Sequence, residues 1–166
     1  MSVTGGTGAI GSHAVPVLLK EGHTVSAVAR TPEKAAVLNA QGASPVSLFD
    51  PSAPADAFAG HDAVVNLATA MPSTTQFVIQ RAWRATERVR TEGSAAVVDA
   101  ALAADVDRLG QESVAMLYRD HGTRWVGEDA PVDRYPATAG NHAAEASTHR
   151  FAAAGGTGIV LRFGLF

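Results

Sequence analysis

Cysteine is absent from the 166-residue chain, which excludes a disulfide framework and any zinc or iron site built on thiolates. Lysine is almost absent. Of thirteen cationic residues only Lys20 and Lys34 are lysines, the rest being arginine, so nothing beyond position 34 can rely on a lysine ammonium. Long apolar runs are missing too: none reaches the roughly 18 residues of a membrane-spanning helix. The first residues also lack the basic-then-apolar pattern of a secretory signal. Charge is sparse and slightly negative, at 17% of residues and a net −3, with no basic run. Nucleic acid and membrane are therefore set aside as partners, and the cytoplasm is the expected compartment. The length suits one domain, residues 1–166, able to bury roughly 70% of its unfolded surface without covalent staples.

Short β-branched runs alternate with longer Ala-rich amphipathic stretches, the pattern of repeated βαβ units. It predicts an α/β, doubly wound parallel sheet of the Rossmann type with helices on both faces. Strands are expected at residues 2–4, 24–29, 46–49, 63–68 and 158–163. Another is expected at 106–113 from its place between helices, because Arg108, Gly110 and Gln111 dilute its apolar character. Helices are expected at 10–21, 32–41, 75–104 and 141–154, with a short turn near 54–58. Thr31-Pro32-Glu33 reads as a cap with proline in the first turn, and Gly42 and Gly155 as helix stops. Residues 120–139 carry Gly, Pro and Asp without periodicity and read as loop. Gly155-Gly156-Thr157-Gly158 echoes the opening glycines, but it precedes a strand and reads as a tight connection.

The strongest chemical signal is Val3-Thr4-Gly5-Gly6-Thr7-Gly8-Ala9-Ile10-Gly11. A strand runs through a glycine-rich turn directly into a helix. Gly5 permits the turn, Gly8 lets backbone approach a pyrophosphate, and Gly11 lets the helix pack on the strand. The early N–H groups of that helix, around Thr7, Ala9 and Ile10, then favour phosphate. The competing reading is an ordinary βα turn that happens to be rich in glycine.

The spacing TGGTGAIG resembles the extended and atypical short-chain dehydrogenase/reductase superfamily, which includes sugar-nucleotide epimerases and NAD(P)-dependent reductases. Val64-Val65-Asn66-Leu67-Ala68 resembles its fourth-strand motif, in which the backbone after the Asn, here Leu67, Ala68 and Thr69, passes the cofactor's ribose and phosphates. Thr91-Glu92-Gly93-Ser94 with Val97-Val98-Asp99-Ala100-Ala101 resembles its central helix. Glu112-Ser113-Val114-Ala115-Met116-Leu117-Tyr118 resembles the end of its fifth strand, Glu128-Asp129-Ala130-Pro131 the following loop, and Val160-Leu161-Arg162-Phe163-Gly164 its sixth strand. The likeness runs the length of the chain in the family's order. Only three residues precede Thr4, and the chain stops at Phe166 where the family continues into a substrate lobe. A fragment or degenerate copy of a longer protein is thus expected.

Cofactor choice is expected to be set after the second strand, where an acid would bond an NAD ribose hydroxyl. That tip reads Val28-Ala29-Arg30-Thr31, so Arg30, with help from Lys34, points to a 2′-phosphate and to NADP, with NAD as the other option. A solvated strand-end arginine is the plain alternative. Asp50, late in Ser47-Leu48-Phe49-Asp50, either meets adenine or opens a turn before Pro51.

The resemblance implies a Tyr-x-x-x-Lys pair on the helix before the sixth strand. Here Thr138 and His142 occupy those places. A threonine hydroxyl is far too weak an acid to replace a phenol, whereas His142 is suited to proton transfer, ribose binding or a purely structural role. Ser113 is the candidate for polarising a carbonyl, although Val114 holds the register four residues before Tyr118. Ser113, Thr138 and His142 are therefore the catalytic candidates.

Trp83, Arg84, Arg88 and Arg90 recur at helical spacing, either to gather an anionic substrate or as a solvated face. No metal site is expected, since His61-Asp62 has no second ligand pair at suitable spacing. A hydrolase triad of Ser113, His142 and Asp129 lacks a nucleophile elbow. The expected function is an NADP(H)-preferring oxidoreductase or epimerase acting on a small carbonyl or sugar-like substrate. The alternative is a non-catalytic NADP-binding module with a sensing or regulatory role, and the sequence leaves a homodimer open.

Overall fold

The protein is described by a computed structural model covering residues 1–46, 57–76 and 79–164. Six strands form one sheet: β1 (Ser2–Thr4), β2 (Ser26–Val28), β3 (Ser44–Val46), β4 (Ala63–Asn66), β5 (Arg108–Val114) and β6 (Thr157–Phe163). The order is β3-β2-β1-β4-β5-β6, with every pairing parallel. Ser2 registers with Ser26 on one side and with Val64 on the other. Chain direction across the sheet therefore reverses between β1 and β4. Such a switch point opens a crevice at the carboxyl ends of the strands.

The core divides between the two faces. Val3, Val25 and Ala27 are covered by Val15 of α1 (Gly11–Lys20) and Leu38 of α2 (Pro32–Gln41). Val64 and Leu109 are covered by Val98 and Ala101 of α4 (Ser94–Ala103) and by Phe151 of α5 (Ala139–Ala153), with Phe58 completing that cluster. Val25 and Ala27 stand two apart on an extended segment and Val98 and Ala101 three apart on a helix, the spacings that keep side chains on one face. Local signals end the elements as expected: the Thr31 hydroxyl accepts from the Lys34 N–H at 3.4 Å, Pro32 opens α2, and Gly42 stops it at φ 94°.

The expected long helix at 75–104 is not continuous. Its described residues form 3-10 turns at Thr74–Gln76 and Gln80–Trp83, helix α3 (Arg84–Arg88), a π turn at Val89–Gly93, and then α4. Helix propensity runs through the region, and the backbone departs from it, as tertiary context often makes it do. The strand expected at 106–113 forms at Arg108–Val114, two residues later, and register with β6 along that whole length outweighs its polar residues. Helix α5 starts two residues earlier than expected, and the 120–139 loop contains a 3-10 turn at Pro136–Thr138. Residues 47–49 and most of the turn at 54–58 lie outside the described residues.

Candidate dinucleotide cleft

A cleft of about 460 Å³ opens at the β1/β4 switch point, a size ordinary for a ligand site. Thr4, Gly5, Thr7 and Gly8 line it from the β1–α1 turn, and Val28, Arg30 and Lys34 from the β2–α2 connection. Asn66, Leu67, Ala68 and Thr69 line it from the end of β4, and Val89, Gly93, Ala96, Val97 and Ala100 from the opposite helix, with Phe58 alongside. Ala9, Ile10 and Gly11 form the first turn beside it, and Asp50 lies outside the described residues.

Three glycines of the turn answer to different neighbours. Gly5 sits at φ 69°, and a Cβ there would lie 2.5 Å from the Leu67 carbonyl oxygen. At Gly11 a Cβ would collide with the Gly5 carbonyl and the backbone of Gly6. Both are required by the fold itself. Gly8 is exposed, and a Cβ there would meet only the Gly5 oxygen at 3.2 Å. The space in front of Gly8 belongs to the cleft, so that glycine keeps open a surface the protein does not fill. Exposed backbone at a helix N-terminus suits the pyrophosphate of a dinucleotide; the donor set and the shape fit such a group.

A polar chain forms the floor. The Thr4 hydroxyl donates to Asn66 Oδ1, which also accepts from the Ala68 N–H at 3.3 Å. Asn66 Nδ2 donates to Gln111 Oε1 at 2.8 Å and to Ser94 Oγ at 3.4 Å. β1, β4, β5 and α4 are thereby fastened together directly beneath the cleft, and Asn66 orients the backbone that follows it.

The candidates in the C-terminal half are placed differently. Ser113 is completely buried and donates its hydroxyl proton to Glu145 Oε1 at 2.7 Å. Glu145 in turn holds Arg162 in a bidentate pair, Nε to Oε1 and Nη2 to Oε2, both at 2.8 Å. Burial alone would raise the Glu145 pKa, but the bonds from Arg162 and Ser113 and the nearby positive charge outweigh it and hold the carboxyl below its ordinary range. Its bond to Glu145 raises Arg162 further above the usual guanidinium range. The Arg162 guanidinium also stacks 4.7 Å from the Tyr118 ring centre, a cation–π contact. Thr138 is buried and donates to the Tyr135 carbonyl at 3.1 Å, and His142 Nε2 meets the Asp133 carbonyl at 3.1 Å. None of the three lines the cleft.

The arginine series also divides. Arg88 is exposed and pairs with Glu92 at 2.9 Å, whereas Arg90 is 5% exposed and bonds Glu112 and Asn141. A solvated face therefore does not describe Arg90. Sequence reading gave no role to Glu145, Arg162 or the apolar lining by Phe58, Val97 and Ala100. Among the described residues no cluster of three or more potential metal ligands occurs, and no helix is long and apolar enough to cross a membrane.

Residues 5–151 match the family described as NAD(P)H-binding. The chain belongs to that family. It is 35% identical over 170 residues to a 3-diazoavenalumate denitrifying reductase from a Streptomyces species, covering 98% of this chain and 54% of that protein. A short-chain dehydrogenase/reductase superfamily protein from Agrobacterium tumefaciens, solved with bound NAD, is 29% identical with a TM-score of 0.73, covering 98% of this chain and 48% of its own. A UDP-glucose 4-epimerase from Stenotrophomonas maltophila, solved with NAD and formylated UDP-arabinopyranose, is 27% identical with a TM-score of 0.75, covering 97% of this chain and 51% of its own. This NAD(P)H-binding chain thus spans about half the length of the relatives it matches, and its fold is that of the dehydrogenase/reductase and epimerase group.

Proposed function

We propose that the cleft binds NADP(H) in preference to NAD(H), and that the chain is the dinucleotide-binding part of a reductase or epimerase acting on a small carbonyl or sugar-like substrate. The observation that carries this reading is the presence of Arg30 and Lys34 in the same cleft as Gly5, Thr7 and Gly8. Backbone donors at the α1 start suit the pyrophosphate, and a cationic pair one strand away suits a 2′-phosphate. Leu67, Ala68 and Thr69 would run along the ribose, with Ala9, Ile10 and Gly11 behind the pyrophosphate. Bound there, the dinucleotide supplies a hydride donor or acceptor, and the reductase name of the Streptomyces relative supports reduction as the direction.

A second reading is favoured by a specific observation. Ser113 has committed its only proton to Glu145, and Thr138 has committed its own to Tyr135. Neither is arranged to donate to a substrate carbonyl, and general acid assistance is typically worth 10²- to 10⁴-fold. On this reading the chain alone holds the dinucleotide without turning it over, as a sensing or regulatory module, in a cytoplasmic setting and either alone or as a homodimer.

Calorimetric titration with NADPH and NADH tests the first reading. A charge-assisted contact contributes about 1.5 to 3 kcal/mol, so NADPH is expected to bind about 10- to 150-fold tighter, with Arg30→Asp removing the preference. Equal affinities that the substitution leaves unchanged would overturn it. NADPH consumption across a carbonyl panel separates the second reading, which expects binding without turnover.

A further inference from the structure

The π turn at Val89–Gly93 lies between α3 and α4, and both of its end residues line the cleft. Turns of this kind are rare and need a local cause. The residue inside it is Arg90, whose guanidinium is turned inward. Nη2 donates to Glu112 Oε1 of β5 at 2.7 Å, and Nη1 to Asn141 Oδ1 of α5 at 3.1 Å. All three side chains are almost fully buried: Arg90 at 5%, Glu112 at 3% and Asn141 at 1% exposure. Gly140, next to Asn141, lets α5 come close, since a Cβ there would lie 3.1 Å from Arg90 Cβ and 2.9 Å from Glu87 Oε2.

The cluster is poorly suited to stabilising the fold for its own sake. Burying two charges is costly, and each residue retains a buried polar atom without a hydrogen-bond partner among the described residues: Arg90 Nε, Glu112 Oε2 and Asn141 Nδ2. A buried ionic group of this type is best attested where it selects one backbone arrangement over another. Here the arrangement concerned is the wall of the cleft.

We propose that Arg90 is a positioning residue for the dinucleotide: its bonds to Glu112 and Asn141 draw Val89–Gly93 into the π turn and thereby set Val89 and Gly93 in the cleft wall. This rests on the dinucleotide reading above. Without the inward pull, the segment relaxes to an ordinary α-helix continuous with α3 and α4, and residues 89 and 93 rotate away from their present places. The two remote partners make β5 and α5 report directly on the shape of the site.

The test uses the whole chain with Arg90→Met and Glu112→Leu combined, which removes both charges together and leaves no stranded ion. Arg90→Lys is the second variant, keeping the charge without a fork that reaches two partners. For each, thermal unfolding, backbone chemical shifts of residues 84–103, and NADPH titration are measured. The double variant is expected to unfold within a few degrees of the parent, show continuous α-helical shifts through 89–93, and bind NADPH at least tenfold more weakly; Arg90→Lys is expected to fall between. A turn that persists in both variants, or one that disappears with NADPH affinity unchanged, would overturn the proposal. Should the parent itself fail to bind NADPH, the dinucleotide reading fails while the shifts still decide whether the cluster sets the turn.

Discussion

Around β1 the cleft is made of backbone, with glycines at 5, 8 and 11 and a carbonyl from Leu67 in close approach, whereas around β5 and β6 the structure is held by charged side chains, Arg90 with Glu112 and Arg162 with Glu145. Backbone-built sites leave their mark in sequence because only glycine satisfies the sterics. Ion pairs leave almost none, since a Glu and an Arg seventeen positions apart look like any two surface residues until α5 and β6 are laid side by side. The first region is the one we propose as the dinucleotide cradle. The second is a clamp of paired charges, and Thr138 and His142, which stand in the Tyr/Lys places, lie outside those pairs.

Breaking the Arg162–Glu145 pair by removing one partner is expected to produce the largest effect on stability. Arg162→Met strands the Glu145 carboxylate at 7% side-chain exposure, and removal of one partner of a buried pair costs about 3 to 5 kcal/mol. Urea unfolding should show that loss, and a change below about 1 kcal/mol would mean the pair is solvated in solution. In the cradle, Gly11→Val forces a side chain onto Gly5 and Gly6 and is expected to cost about 1 to 3 kcal/mol by overpacking.

Acid sharpens the contrast. The folded-state pKa of Glu145 lies below its unfolded value, so its contribution is fully present above the ordinary carboxylate range and is lost as pH falls through the folded pKa. Glu145→Gln should therefore flatten the acid limb of a melting-temperature profile as pH falls through and below the ordinary carboxylate range, as expected of a carboxylate paired only in the folded state. An acid limb equal to the parent's would show that other carboxylates carry it. The smallest change in stability belongs to Gly8→Val, within about 0.5 kcal/mol as for an exposed position, while NADPH binding is expected to be lost. If both glycine substitutions act alike on stability and binding, the distinction between a packing glycine and a ligand-facing glycine disappears.

These contrasts also mark what the sequence made legible. The glycine turn, the Thr31 cap and the Gly42 stop follow from local rules that each act over a few residues. The Ala-rich run at 75–104 misled because its helix propensity is genuine, yet Ile79 is extended, 3-10 turns occupy Thr74–Gln76 and Gln80–Trp83, and a π turn around the buried Arg90 separates α3 from α4. Ser113 was legible as a hydroxyl at the end of β5, but its direction is set by Glu145, thirty-two residues away. Thr138 and His142 were legible as replacements, and their partners, the Tyr135 and Asp133 carbonyls, belong to the loop with least pattern.

A crystal structure of the chain with NADPH tests the central claim most directly. The account expects the pyrophosphate against the turn from Gly5 to Gly8 and the 2′-phosphate within hydrogen-bonding distance of Arg30, with Ser113 still bonded to Glu145. Dinucleotide bound elsewhere, or a 2′-phosphate turned away from both Arg30 and Lys34, would contradict it.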